Sequence, residues 1–316
     1  MTKANDTDNL EYFHMTKAES PPEVDFSSIF DHSFNDHGAS PIELFLDNFR
    51  NVIKLVYVDN VTPTKCNLIL LGLVSAAESY VRSVIRRLIL CDNHIFSLAM
   101  SKNVTFAAAQ YHNKDTLPEA LIEHCSFANS YKIFSNLNEF IGMPTSVPPE
   151  LSRLAEQYNK ICELRHCCVH RFGKLGIKNA IKLDLIPKYD PHDASLNTIE
   201  KPILLNENNI QDIGVIIETF IKTLNNQIFK FILQRTVGDN QSVIPKYKQQ
   251  WVWQEEVDID RFTTYYKIFA TQGSMSASEA YLKFSEVHKP DLETKTKQKT
   301  KSKSYRRNKS KKRGRQ

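Results

Sequence analysis

Arg165, His166 and His170 fall within six residues of one another, a set that suits chemistry on a phosphodiester. A histidine can take the proton of a ribose 2′-hydroxyl, and a second can protonate the departing 5′-oxygen. A guanidinium can hold the non-bridging oxygens and stabilise the charge that gathers at phosphorus. This route calls for no metal and no cofactor. It would leave a 2′,3′-cyclic phosphate and a free 5′-hydroxyl.

The surrounding segment is patterned as a helix. At 100° per residue, Leu151, Leu154, Tyr158, Ile161, Cys168 and Phe172 share one stripe, and Arg165 interrupts it where the pattern asks for an apolar residue. A permanent cation there needs an ionic partner or a cleft that admits an anion. His166 and His170 are four apart and neighbour each other on the adjacent flank. The same residues admit other readings. Arg165 can snorkel, or pair with Glu78 or Glu163 as a core salt bridge. His166 and His170 could bind a metal with Cys162, although the full ligand set would have to come from one helix or from scattered partners. Cys167 and Cys168 read as small packing residues.

The string Glu163-Leu164-Arg165-His166-Cys167-Cys168-Val169-His170-Arg171-Phe172-Gly173 resembles the R-x4-6-H signature of HEPN domains, with four intervening residues. It is most similar to the RiboL-PSP-HEPN branch, in the apolar helix before it, the Val before the His, and the basic-aromatic-Gly exit. Ser75 to Arg82, within Leu70–Leu88, is similar to that family's earlier core helix, where an acidic and a basic residue follow an apolar run. Cys125-Ser126-Phe127 leading to Ile141-Gly142 resembles its joining segment. The resemblance covers about residues 41–235. It implies an antiparallel helical bundle that forms a homodimer, with two motifs meeting across a cleft as a composite active site. It implies a ribonuclease in a toxin or antiviral-defence role, with an antitoxin or defence protein as a further partner, or else a non-catalytic RNA-binding, nucleotide-binding or interaction protein. Arg165, His170 and His166 would be the catalytic residues. Glu78 would support them by orienting Arg165 or a histidine, or would serve as a structural ion-pair partner. His166 departs from the family pattern, which frequently has Asn or Asp there. Arg171 and Lys174, at the helix exit, are candidates for RNA phosphate contacts.

The elements that must position these residues are helical. Ser40-Pro41 pairs a capping hydroxyl with a first-turn proline, predicting a helix from Pro41 to about Val58, and a second helix is expected from near Thr62-Pro63-Thr64 to about Leu90. The second is apolar almost all round in its first half, as a central helix would be, and turns basic at Arg82, Arg86 and Arg87. Shorter helices are expected over Pro118–Ala128 and Tyr131–Ile141, then long ones over Pro149–Phe172 and Ile210–Arg235. A loop or short strands are expected between Ile177 and Asn209. Two more helices, Asp258–Ala270 and Ser276–Val287, follow Trp251 and Trp253. The second carries a Ser276–Glu279 capping box, and the pair admits a helix-turn-helix reading. The expected class is therefore all-α: a poorly ordered segment 1–38 with one short docking element at Phe26–Phe30, a helical bundle 39–238, a small helical C-terminal unit 239–290, and a disordered Lys/Arg-rich tail 291–316.

Composition agrees with that division. With only 9 Gly in 316 residues, a barrel or sandwich rich in tight turns is disfavoured. No run approaches the ~20 apolar residues of a membrane span, and no secretory leader is visible. Six cysteines without a framework spacing suggest free thiols in a reducing cytoplasm. The net charge of +5 hides an asymmetry. Residues 294–316 hold 12 Lys or Arg and no acid, leaving the remainder at −7. Within that tail Arg306, Arg307, Lys311, Lys312 and Arg313 would hold RNA through counterion release, without sequence preference. A nuclear-import address or a solubility tail would have the same composition.

Overall fold

The computed structural model describes Thr16 and residues 20–34, 38–186, 198–237 and 251–289. The chain divides into two compact units, Met1–Gly38 and Ala39–Gln316. In the first, a 3-10 turn spans Phe26–Ile29, capped by the Asp25 carboxylate on the Ser27 amide. Its Phe26, Ile29 and Phe30 side chains are exposed.

The second unit is all-helical among the described residues, with one isolated antiparallel bridge, Lys174 to Pro202. Its helices are α1 (Pro41–Ile53), α2 (Pro63–Cys91), α3 (Asn93–Ala99), α4 (Phe106–Tyr111), α5 (Leu117–Ile122), α6 (Ser130–Ile141), α7 (Pro149–Arg171), α8 (Ile177–Lys182), α9 (Glu207–Gln234), α10 (Glu255–Phe269) and α11 (Ala277–His288). Capping follows the sequence signals closely. Ser40 and Glu43 close a reciprocal box at the start of α1, Thr62 caps α2 ahead of Pro63, and Ser276 with Glu279 caps α11.

The centre of the bundle is α2, which packs against α1, α3, α5, α6, α7, α9 and α10. Leu70, Leu73, Val74, Ala77, Val81, Val84, Ile85 and Leu88 along it are fully enclosed; each large aliphatic among them contributes roughly 1.5–3 kcal/mol by leaving water. By length and composition α2 could cross a membrane, yet 56% of its most apolar window is buried inside the protein, as in the core helix of a bundle. Two glycines allow α1 to nest closely. A Cβ on Gly72 of α2 would sit 2.9 Å from Val52, and one on Gly214 of α9 would sit 3.2 Å from Ile53.

The basic half of α2 is spent on structure. Arg82 donates to the carbonyls of Ile122 and Cys125, 2.8 Å each, and stacks 4.9 Å over the Phe127 ring. Arg86 reaches the Asp115 carbonyl. These contacts hold α5 and the chain after it against α2. The helix expected over Pro118–Ala128 stops at Ile122, beyond which the backbone carbonyls turn to Arg82.

The expected loop or strands after Gly176 include a short helix, α8, which six residues are too few to reveal by periodicity. At the C-terminal end, α10 lays Tyr265, Ile268 and Phe269 into the main core. With α11, α10 also closes a second cluster around Trp251, Phe262, Tyr281 and Phe284. The expected basic tail lies outside the described residues.

Candidate active site

Helix α7 starts at Pro149 and is anchored by Leu151, Ala155, Tyr158 and Ile161; Tyr158 stacks on Phe220 of α9 at 4.6 Å. Its last turn carries His170 and Arg171, and the Arg171 guanidinium is favourable at the negative end of the helix dipole. The apolar stripe breaks at its last member. Phe172 takes a left-handed conformation (φ +49°) and stands 87% exposed, so the helix terminates one residue before it. For a non-glycine residue that backbone costs on the order of 1 kcal/mol.

Arg165 is partly open to solvent. Among the described residues its carboxylate neighbour is Glu78 of α2, whose Oε1 lies 3.8 Å from Nη2, an ion pair beyond hydrogen-bonding distance. That oxygen is buried with no hydrogen-bond partner, as is the Tyr158 hydroxyl. Burial raises the Glu78 carboxyl above its ordinary range, against the pull of Arg165 and Arg82. Glu163, the other candidate partner, faces elsewhere, receiving Asn179 at 2.8 Å and Lys182 at 2.6 Å.

His166 and His170 are both exposed, with ring centroids 4.3 Å apart. Partial burial and the neighbouring His170 lower the pKa of His166, while Glu163 opposes the shift. The neutral form, which can accept a proton, is thereby favoured. His170 is five positions on from Arg165, about 140° around the helix, so within one chain the guanidinium and that imidazole point to different flanks. Arg165 instead shares its strip with Val169, which is 47% exposed.

The metal alternative lacks its donors. Cys162 faces the core with its thiol pushed up to about 12 by burial, whereas the two histidines face solvent. No group of three His, Cys, Asp or Glu gathers at metal-binding distances among the described residues. Cys167 and Cys168 are buried, burial raising the first thiol and pushing the second up to about 11. Arg171, a candidate for phosphate contact, forms an ion pair with Glu200; Lys174 is exposed beside it. Arg306, Arg307, Lys311, Lys312 and Arg313 lie outside the described residues. The α10–α11 pair begins with Glu255 and Glu256, and α11 carries Glu279 and Glu286 against Lys283, a poor surface for a DNA backbone.

Sequence reasoning missed a cleft of about 500 Å³ on the His166 flank, lined by α6, α7 and α8 and including Tyr131, Glu156, Lys160 and Lys182. The spacing of Glu156, Lys160 and Glu163 marks one helical face, but nothing local to Tyr131 places its ring beside them. No family model, curated protein or solved structure matches the chain.

Proposed function

We propose that the chain is a metal-independent endoribonuclease of HEPN type, acting as a homodimer in a toxin or antiviral-defence role in the cytoplasm. The observation that carries this reading is Arg165: a guanidinium near the surface, held by Glu78 at 3.8 Å without a hydrogen bond and so left able to take an anion, with two adjoining imidazoles on the next flank. Arg165 steadies the non-bridging oxygens, one histidine removes the 2′-hydroxyl proton and another protonates the 5′-oxygen.

Two rings only 4.3 Å apart on the same flank cannot lie on opposite sides of one phosphorus. Acid and base therefore come from two copies, which bring the C-terminal ends of their α7 helices together across a shared cleft. Val169 and Phe172, exposed at that end of α7, supply apolar surface for the contact.

Purified protein incubated with total RNA in excess chelator should produce 2′,3′-cyclic phosphate ends. His170→Ala should lower the rate by at least 100-fold while the circular dichroism melt stays unchanged. Cleavage undiminished in that variant removes the proposal. A second reading, a non-catalytic RNA or nucleotide binder, is favoured by the 140° divergence of Arg165 and His170 within one chain. It predicts binding by a monomer and no new ends.

A further inference from the structure

From the cleft beside His166 we infer a nucleobase subsite that takes guanine. The inference rests on the nuclease reading and adds to it a base preference next to the cut.

The cleft, about 500 Å³, is large enough for a base and part of its sugar. One wall is the face of α7 that carries Glu156, Asn159, Lys160 and Glu163, and the same face runs on into His166 and His170. From Glu163 to His166 is less than one turn, about 4.5 Å along the axis. The opposite wall is the start of α6, where Tyr131 is 73% exposed. That start is fixed in place, because the Ser130 amide and hydroxyl both donate to Asn159 Oδ1, at 2.8 and 3.0 Å.

Charge decides what enters. Lys160 is paired with Asp184 at 2.7 Å and Lys182 with Glu163 at 2.6 Å, so both cations in the cleft are neutralised. With Glu156 added, the cleft is net negative, which repels a phosphate and leaves a neutral base as the better occupant. The groups still open are an aromatic ring on Tyr131, a carboxylate on Glu156 that forms no ion pair among the described residues, and the amide nitrogen of Asn159. A ring stacks on any base. A carboxylate accepts two N–H bonds side by side, and an amide nitrogen donates to a neighbouring carbonyl. Guanine is the base whose Watson–Crick edge offers two adjacent N–H donors followed by a carbonyl, and unstacked single-stranded bases are read on that edge.

The test uses the full-length protein and 2′-O-methyl tetranucleotides, which lack the attacking hydroxyl. One carries a single guanine, and three others carry adenine, cytosine or uracil in its place. Binding is measured at about 0.3 M salt to suppress the contribution of the basic tail. The guanine probe should bind at least tenfold more tightly than the others. Tyr131→Ala should weaken it about tenfold, Tyr131→Phe should not, and Glu156→Gln should abolish the preference for guanine. Tyr131 is exposed enough that its loss should leave the melt unaltered. Equal binding of the four probes, no binding, or a Tyr131→Ala protein as tight as wild type overturns the subsite. Cyclic ends without guanine preference would sink the subsite and spare the nuclease. Guanine preference without cyclic ends would do the reverse.

Discussion

At the scale of single residues, Glu78 is the informative group. Its folded-state pKa lies above the ordinary carboxylate value because burial outweighs the attraction of Arg165 and Arg82. The folded state therefore holds that proton more tightly than the unfolded chain does. Ionised Glu78 costs stability at neutral pH, and the cost disappears as pH falls below its unfolded value of about 4.5. Glu78→Gln should then melt no lower than wild type at pH 7, and the difference between the two should shrink on acidification toward pH 4. A loss of several degrees at pH 7 would make the Arg165–Glu78 pair a structural one. The oddity of Arg165 could be seen in the sequence, because one cation in an apolar stripe is a local violation. Its choice of Glu78 over Glu163 could not, since Glu163 is claimed by Asn179 and Lys182 from α8. The same holds for Arg171, whose partner Glu200 lies 29 residues away.

At the scale of elements, the arginines of α2 are braces. Arg82 satisfies two carbonyls and covers an aromatic ring where α5 has ended. Arg82→Met keeps much of the stem's packing and loses both charge-assisted hydrogen bonds. It should cost roughly 2 kcal/mol, seen as a lower urea midpoint with an unchanged slope; a midpoint equal to wild type would refute the brace. Elements with a long helical period, such as α1, α2, α7 and α9, and α11 with its capping box, could be read from sequence to within about five residues. The short ones were legible only in part. The seven residues of α3, capped by Asp92 straight after α2 ends, and the six of α8 are too few to show a period, and neither helix was expected. The end of α7 was displaced for a different reason: Phe172 adopts a backbone that its side chain gives no hint of.

At the scale of the whole molecule, one carboxylate joins distant parts of the chain. Asp92 caps α3 through the amides of His94 and Ile95, forms a buried ion pair with Arg235 at the end of α9, and accepts from the Tyr265 hydroxyl of α10 at 2.6 Å. Tyr265, Ile268 and Phe269 belong to the same core as α2 and α9, so the C-terminal helices are part of what folds. Truncation after Val237 should take the Tyr265 hydrogen bond from the buried Asp92–Arg235 pair and bare the apolar surface beneath α10. The truncated chain should lose its cooperative thermal transition, and a melt like that of the intact protein would contradict this. A ribosome translating the message reaches the codon for Tyr265 nearly a hundred residues after that for His170, counting along the chain. If the RNA chemistry is as proposed, the nascent polypeptide carries its catalytic side chains into the cytosol well before the last strut of their scaffold arrives. The machine that makes the chain would thus be shielded from that chemistry until it has passed Tyr265.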